Sequence, residues 1–186
     1  MSEPRIRMLS EEDALKAAAD AGVNEFMAKL SIFRVLLNHP RVARQMHDML
    51  VALLFDAELD TRLRELLILR LGWMTGSVYE WTQHWRVALD LGLPETDLLA
   101  VRDWRKHDRW SDGDRAVLAA TDEVLTDGAI SAETWAKCAA ALPGARAQIE
   151  LVSAIGWWRM ISHVLRSLEI PLEDGVTPWP PDGAKP

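Results

Sequence analysis

Thiols, basic charge and long apolar runs are what this chain has least of. One cysteine, Cys138, stands among 186 residues. That excludes an internal disulfide framework, a four-cysteine zinc site and any Cys-x-x-Cys redox pair, and it suits a reducing compartment. No apolar stretch reaches the ~18 residues that a membrane span needs. The first nine residues, with Pro4, Arg5 and Arg7, lack the apolar run of a signal peptide. Basic residues are outnumbered, 21 Lys and Arg against 28 Asp and Glu, for a net charge of −7 with histidines neutral. Phosphate backbones are gripped by clustered Lys and Arg, so nucleic acid is not an expected partner, and neither is a membrane. The expectation is a soluble, cytoplasmic, globular chain long enough to bury a core.

Tryptophan runs the other way. Nine Trp stand against one Tyr and three Phe. Trp brings a large apolar area and one N–H donor, which suits pocket walls and interfaces as well as cores.

The apolar periodicity is helical nearly throughout, and no segment alternates apolar and polar residues for the length of a strand. Ser10-Glu11-Glu12-Asp13 reads as an N-cap with early acids, opening a helix that Gly22 closes. A second helix is predicted from Asn24 to Leu37, with Phe26, Leu30, Phe33 and Leu37 on one face. Pro40 fits the first turn of a third, ending near Phe55. Asp60 caps a strongly apolar helix that weakens at Gly72 and Gly76, and the next runs from Ser77 to Leu91. Gly92-Leu93-Pro94 marks a boundary, with Pro94 expected at the first helical position. Later helices are predicted over Glu95 to Arg105, Ser111 to Leu125, Ser131 to Leu142 and Ala145 to Leu168. The tail from Pro171 to Pro186, with five prolines and two glycines, reads as an extended arm. The expected organisation is a helical extension over residues 1–37, one all-α domain over 38–170 and the arm over 171–186.

The polar residues that stand out lie between Asp60 and Leu93. Glu65 sits inside Leu63-Arg64-Glu65-Leu66-Leu67, where a carboxylate is costly without a partner or a task. Ser77, Glu80 and His84 are spaced three and four apart, so one helix face presents a hydroxyl, a carboxylate and an imidazole in a row. Such a set can perform general acid–base chemistry. The same spacing also describes an ordinary helix-surface pair, and Glu65 could simply partner Arg62 or Arg64. Spacing alone leaves both readings open.

Leu63-Arg64-Glu65-Leu66, then Tyr79-Glu80-Trp81-Thr82-Gln83-His84 and the Ala88…Gly92-Leu93 helix end, resemble the carboxymuconolactone decarboxylase and alkyl hydroperoxidase D (AhpD)-like family. The likeness continues through Trp110-Ser111-Asp112-Gly113-Asp114-Arg115 and Ile130-Ser131-Ala132-Glu133-Thr134-Trp135, and reaches Ile170-Pro171-Leu172-Glu173 and Pro178-Trp179-Pro180. It covers roughly residues 35 to 180. The resemblance implies an AhpD-like helical bundle that assembles as trimers or hexamers, with a site near a subunit interface.

The family's peroxidase branch carries Cys-x-x-Cys-x-x-x-His with a Glu twelve residues before the first Cys. On this chain that Glu falls on Glu65 and the His on His84, while the cysteine positions hold Ser77 and Glu80. Dithiol peroxide reduction needs both thiols, so the resemblance implies the other branch: a cofactor-free lyase acting on a small carboxylated or lactone-type substrate. Glu65, Glu80 and His84 are then the expected catalytic set. Ser77, Tyr79, Trp81 and Arg64 are the expected substrate-binding residues, with Arg44 and Arg62 as other candidate cations for a substrate carboxylate. Non-catalytic binding of a small apolar ligand, or another proton-transfer reaction at the same residues, is the alternative. No metal site is expected, because no His-x-His or HExxH spacing occurs. His163 reads as a core histidine, His39 as part of a helix break, and His47 and His107 as solvated or interface groups.

Overall fold

The computed structural model describes residues 4–178 and 184. Among them are ten α-helices, one 3-10 helix and no strand. The chain divides into two compact units. One holds the described residues up to Asp56 with Val164–Val176, and the other holds Ala57–His163 and the described residues from Thr177.

The first unit contains α1 (Glu11–Ala21), α2 (Glu25–Lys29), α3 (Ser31–Leu36) and α4 (Pro40–Leu54). Ser10 caps α1 by accepting from the Asp13 amide, and Gly22 ends it at φ 75°, a left-handed conformation glycine adopts without strain. Pro40 opens α4 as expected, with the His39 ring accepting from the Val42 amide. The helix predicted over Asn24 to Leu37 is broken instead at Leu30, whose backbone is extended at ψ 137°. The Ser31 amide left free at the break donates to the Glu173 carboxylate at 2.9 Å, a tertiary partner 142 residues away. Glu173 lies in the non-helical stretch that opens the predicted arm. The arm from Trp179 onward, Ala184 apart, falls outside the described residues. His47 is not a solvated group: it is 8% exposed, with ring nitrogens against Asn24 and Asp48.

The second unit contains α5 (Thr61–Thr75), α6 (Val78–Asp90), α7 (Glu95–Ala100), the 3-10 helix Val101–Lys106, α8 (Asp112–Thr126), α9 (Ala132–Ala141) and the larger part of α10 (Ala145–Ser167). α5 is buried on every face from Arg64 to Gly72 and packs against α6, α8 and the 3-10 helix, the pattern of a central helix. Leu66 and Leu69 of α5 meet Trp81, Trp85, Leu98, Trp104, Trp110 and Leu118 in one core. Much of the tryptophan excess goes here: Trp81 lies stacked on Trp85 at 6.0 Å and edge-on to Trp73 at 5.9 Å.

Two boundaries in this unit differ from expectation. Pro94 precedes α7 rather than opening it. The helix predicted to Arg105 gives way to the 3-10 turn, because the carbonyls of Val101 and Arg102 accept from Arg70 at 2.9 and 2.8 Å. Arg70 itself is buried and forks onto Asp122 through Nε and Nη2 at 2.6 and 3.2 Å. Asp122 also accepts from the Trp104 indole and from Arg105. Among the described residues no helix is long and apolar enough to cross a membrane.

Candidate active site

The site is made by the turn between α5 and α6. Asp60 starts α5 by accepting from the Arg62 and Leu63 amides. Gly76 ends it at φ 70°, and the Ser77 amide returns to the Gly72 carbonyl at 2.9 Å. The chain reverses, and the first turn of α6 lies directly on α5. A Cβ at Gly72 would stand 3.3 Å from the Trp81 amide nitrogen and 3.5 Å from the Glu80 Cβ, so a side chain here would press on the first turn of α6. Glu65, Leu69 and Gly72, four and three apart, share the α5 face turned to Glu80 and His84.

The three residues expected to be catalytic converge. His84 Nδ1 lies 2.7 Å from Glu65 Oε2, and Nε2 lies 3.7 Å from Glu80 Oε2. The Glu65 side chain is 0% exposed, that of Glu80 5% and that of His84 13%. The other Glu65 oxygen, Oε1, accepts from Arg64 at 2.9 Å. Burial alone would raise Glu65, but His84 and Arg64 outweigh it and hold the carboxyl below its ordinary range. Glu80 makes no hydrogen bond among the described residues. Burial, with the nearby Glu65 charge and against the pull of His84, pushes it up to about 7. Burial works against a charged His84, yet Glu65 and then Glu80 raise it above its usual value, with Arg64 opposing. Two carboxyls beside one imidazole are thus driven apart: one a fixed anion, the other able to hold a proton near neutrality.

The remaining expected residues fall in varied places. Ser77 caps α6 in position only: its hydroxyl is buried, with no hydrogen-bond partner among the described residues. Tyr79 is 8% exposed on the first turn of α6, while Trp81 is fully buried in the tryptophan core. Arg64 is held on Glu65. The other cations are committed elsewhere: Arg44 to Asp48, and Arg62 to Asp97 and Asp114. His163 is exposed rather than in the core. His107 is packed, edge-on to Trp110 at 4.6 Å and 3.3 Å from Asp97. Among the described residues no group of three or more His, Cys, Asp or Glu is disposed to hold a metal ion.

One contact has no counterpart in the sequence reading. Trp158 of α10 donates its indole N–H to His84 Nε2 at 3.2 Å. Nothing in spacing ties position 158 to position 84. Arg70 belongs to no motif, although the burial cost that singles out Glu65 applies equally to a charge in Leu69-Arg70-Leu71. Cys138 lies buried between α8 and α9, its thiol donating to the Ala116 carbonyl at 3.4 Å. Burial, and then the Glu123 charge, push that thiol up to about 11.

Over residues 40–123, the stretch that holds the whole α5–α6 site, the chain matches the carboxymuconolactone decarboxylase family. With one cysteine, the chain has no cysteine pair. Among solved structures, the alkylhydroperoxidase AhpD core protein of Ralstonia eutropha is similar at 13% identity and TM-score 0.74, over 94% of each chain. A peroxidase-related protein of Silicibacter is similar at 11% identity and TM-score 0.74, over 95% of this chain and 92% of that one. The debrominase Bmp8 in complex with 2,3,4-tribromopyrrole is similar at 15% identity and TM-score 0.72, over 91% of each chain. These likenesses establish an AhpD-like helical fold. No curated protein sequence matches the chain.

Proposed function

We propose that this protein is a cofactor-free lyase of the carboxymuconolactone decarboxylase type, moving a proton on a small carboxylated or lactone-type substrate. The observation that carries the reading is the array Glu65–His84–Glu80: a buried anion at 2.7 Å from one ring nitrogen and a carboxyl near neutrality at 3.7 Å from the other. In decarboxylation of an unsaturated carboxylated lactone, the C–C bond to the carboxylate breaks and its electron pair enters a dienolate. CO₂ leaves, and carbon then takes up one proton. Glu80 and His84 handle that proton, with Glu65 orienting the ring and balancing its charge. Arg64, already on Glu65, is the nearest cation for the substrate carboxylate. Ser77, Tyr79 and Trp81 are the proposed substrate-binding residues beside it.

The protein is expected in the cytoplasm, as its lone thiol suggests, and as a trimer or hexamer, which light scattering of the purified chain would measure. Dithiol-driven peroxide reduction is not expected, because the one thiol is buried and has no resolving partner.

The test follows the ultraviolet absorbance of carboxymuconolactone with the purified chain, His84→Ala beside it, and peroxide plus a dithiol in parallel. Lactone turnover that His84→Ala abolishes supports the reading. A chain inert toward the lactone overturns the substrate assignment, and peroxide turnover at a comparable rate overturns the argument from the cysteines.

A further inference from the structure

His84 Nε2 has one lone pair and two neighbours. Trp158 Nε1 reaches it at 3.2 Å as a donor, and Glu80 Oε2 stands 3.7 Å away. The two rings meet at 81° with centroids 5.7 Å apart, which suits an in-plane indole N–H aimed at an in-plane lone pair. An indole nitrogen can only donate. While this bond stands, Nε2 therefore carries no proton, and the ring proton sits on Nδ1, where Glu65 Oε2 receives it at 2.7 Å. Trp158 is 1% exposed and sits on a helix anchored by Leu151, Ala154, Ile155 and Ile161, so the donor is fixed in place.

We propose that Trp158 is a positioning residue that fixes the proton of the neutral His84 ring on Nδ1 and opposes a second proton at Nε2, and so favours keeping the acidic proton on Glu80. The proposal rests on the acid–base reading of this site. The groups facing the imidazole are Glu65 and Arg64 from α5, Glu80 from α6 and Trp158 from α10. Both carboxylates favour an imidazolium and outweigh burial and Arg64, so that His84 lies above its usual value. Trp158 adds a specific opposition, because a second ring proton must displace its N–H. Without the indole, Nε2 takes the proton of Glu80 more readily, and the array shifts toward an anion–imidazolium–anion set with no free base and no carboxylic acid.

Nitrogen-15 spectroscopy of the full chain, labelled at His and Trp, tests this without reference to turnover. Above the His84 titration midpoint the expected result is a ring in the Nδ1–H form, with a coupling across the hydrogen bond between Trp158 Nε1 and His84 Nε2. Trp158→Phe is expected to raise the His84 titration midpoint by about one pH unit, a tenfold gain in proton affinity. Trp157→Phe, whose indole nitrogen has no partner among the described residues, is expected to leave it unmoved. A native chain without that coupling, or with His84 protonated on Nε2, overturns the proposal, and this reading stands even where Trp158→Phe does not fold. A folded Trp158→Phe with an unmoved His84 titration overturns it equally. A chain that shows the coupling and the shift but is inert toward the lactone leaves Trp158 in its role and refutes the substrate assignment instead.

Discussion

Glu65 and His84 stand nineteen residues apart in the chain and 2.7 Å apart in space, joined Oε2 to Nδ1 across the α5–α6 turn. The contact depends on a left-handed Gly76 that reverses the chain and on a Gly72 that lets the two helices touch. Glu65 also holds Arg64, so its charge is shared between the buried Arg64 and the partly buried His84. Glu65→Gln is therefore expected to cost stability, about 3–5 kcal/mol, because Arg64 is left buried without its anion. Urea unfolding at neutral pH measures the loss. In the folded fraction the His84 midpoint should fall, since the charge that raises it is gone. His84→Ala is expected to lower turnover by about 10²–10⁴-fold, the usual share of a positioned acid or base.

Glu80 gives the site a pH signature. Its carboxyl sits at about 7 in the folded chain, against an ordinary 4.5. Between these values the folded chain keeps a proton that the unfolded chain has lost, so this group's contribution to stability falls as pH rises from about 4.5 to 7, then levels off. The full difference is about 3 kcal/mol. Glu80→Gln, neutral at every pH, is expected to flatten that slope and to be more stable than the native chain at pH 8. Unfolding midpoints at pH 5 and pH 8 decide it.

Gly72→Ala tests the helix contact. Alanine is the better helix former by about 1 kcal/mol, but its methyl would press on the Trp81 amide nitrogen, a backbone atom with little room to yield. The variant is expected to fold with its thermal midpoint lowered by a few degrees. Its turnover should fall further than that loss explains, because Glu80 and His84 ride on the displaced turn. An unchanged kcat would contradict the close-approach argument.

Asp122 anchors a network away from the site. It receives Arg70, Arg105 and the Trp104 indole. Burial would raise its carboxyl, and these donors hold it below the usual range instead. Its stabilising contribution is thus present above the ordinary carboxylate range and is lost as pH falls through the lower folded value. Asp122→Asn leaves Arg70 buried without a counter-charge and is expected to destabilise by about 3–5 kcal/mol. Turnover per folded molecule should be nearly unchanged, read from unfolding curves alongside kcat.

Cys138, with its thiol at about 11, is expected to be inert to thiol reagents in the native chain and to react only on unfolding. Labelling with and without denaturant checks this. Fast labelling of native protein would place the thiol somewhere other than beneath α9.

The helices were legible wherever their ends carry local chemistry. Ser10, Asp60, Ser111 and Ser131 all cap as their sequences indicate, and Gly22 and Gly76 close helices by the left-handed turn they permit. Capping and chain reversal are settled within four residues, so sequence suffices there. Leu30 and the Val101–Lys106 turn were not legible, because each is set by a polar group from a distant segment: Glu173 in one case, Arg70 in the other. Local periodicity holds no trace of such partners.

At the site the division is the same. By itself the sequence determined which groups could act: a carboxylate placed where burial makes it expensive, a hydroxyl, carboxyl and imidazole on one helical face, and a single cysteine that removes dithiol chemistry. It also determined the reversal between the two helices, because glycine accepts without strain the left-handed backbone that Gly76 adopts. Tertiary structure decided what each group is. It made Glu65 an anion by giving it Arg64 and His84, made Glu80 a carboxyl near neutrality by burying it without a hydrogen bond, and brought the Trp158 indole to the second nitrogen of His84. The reason is physical: residue type and spacing fix which atoms a helix can present, but a protonation state depends on every charge and donor within a few ångströms, and those arrive from elsewhere in the chain.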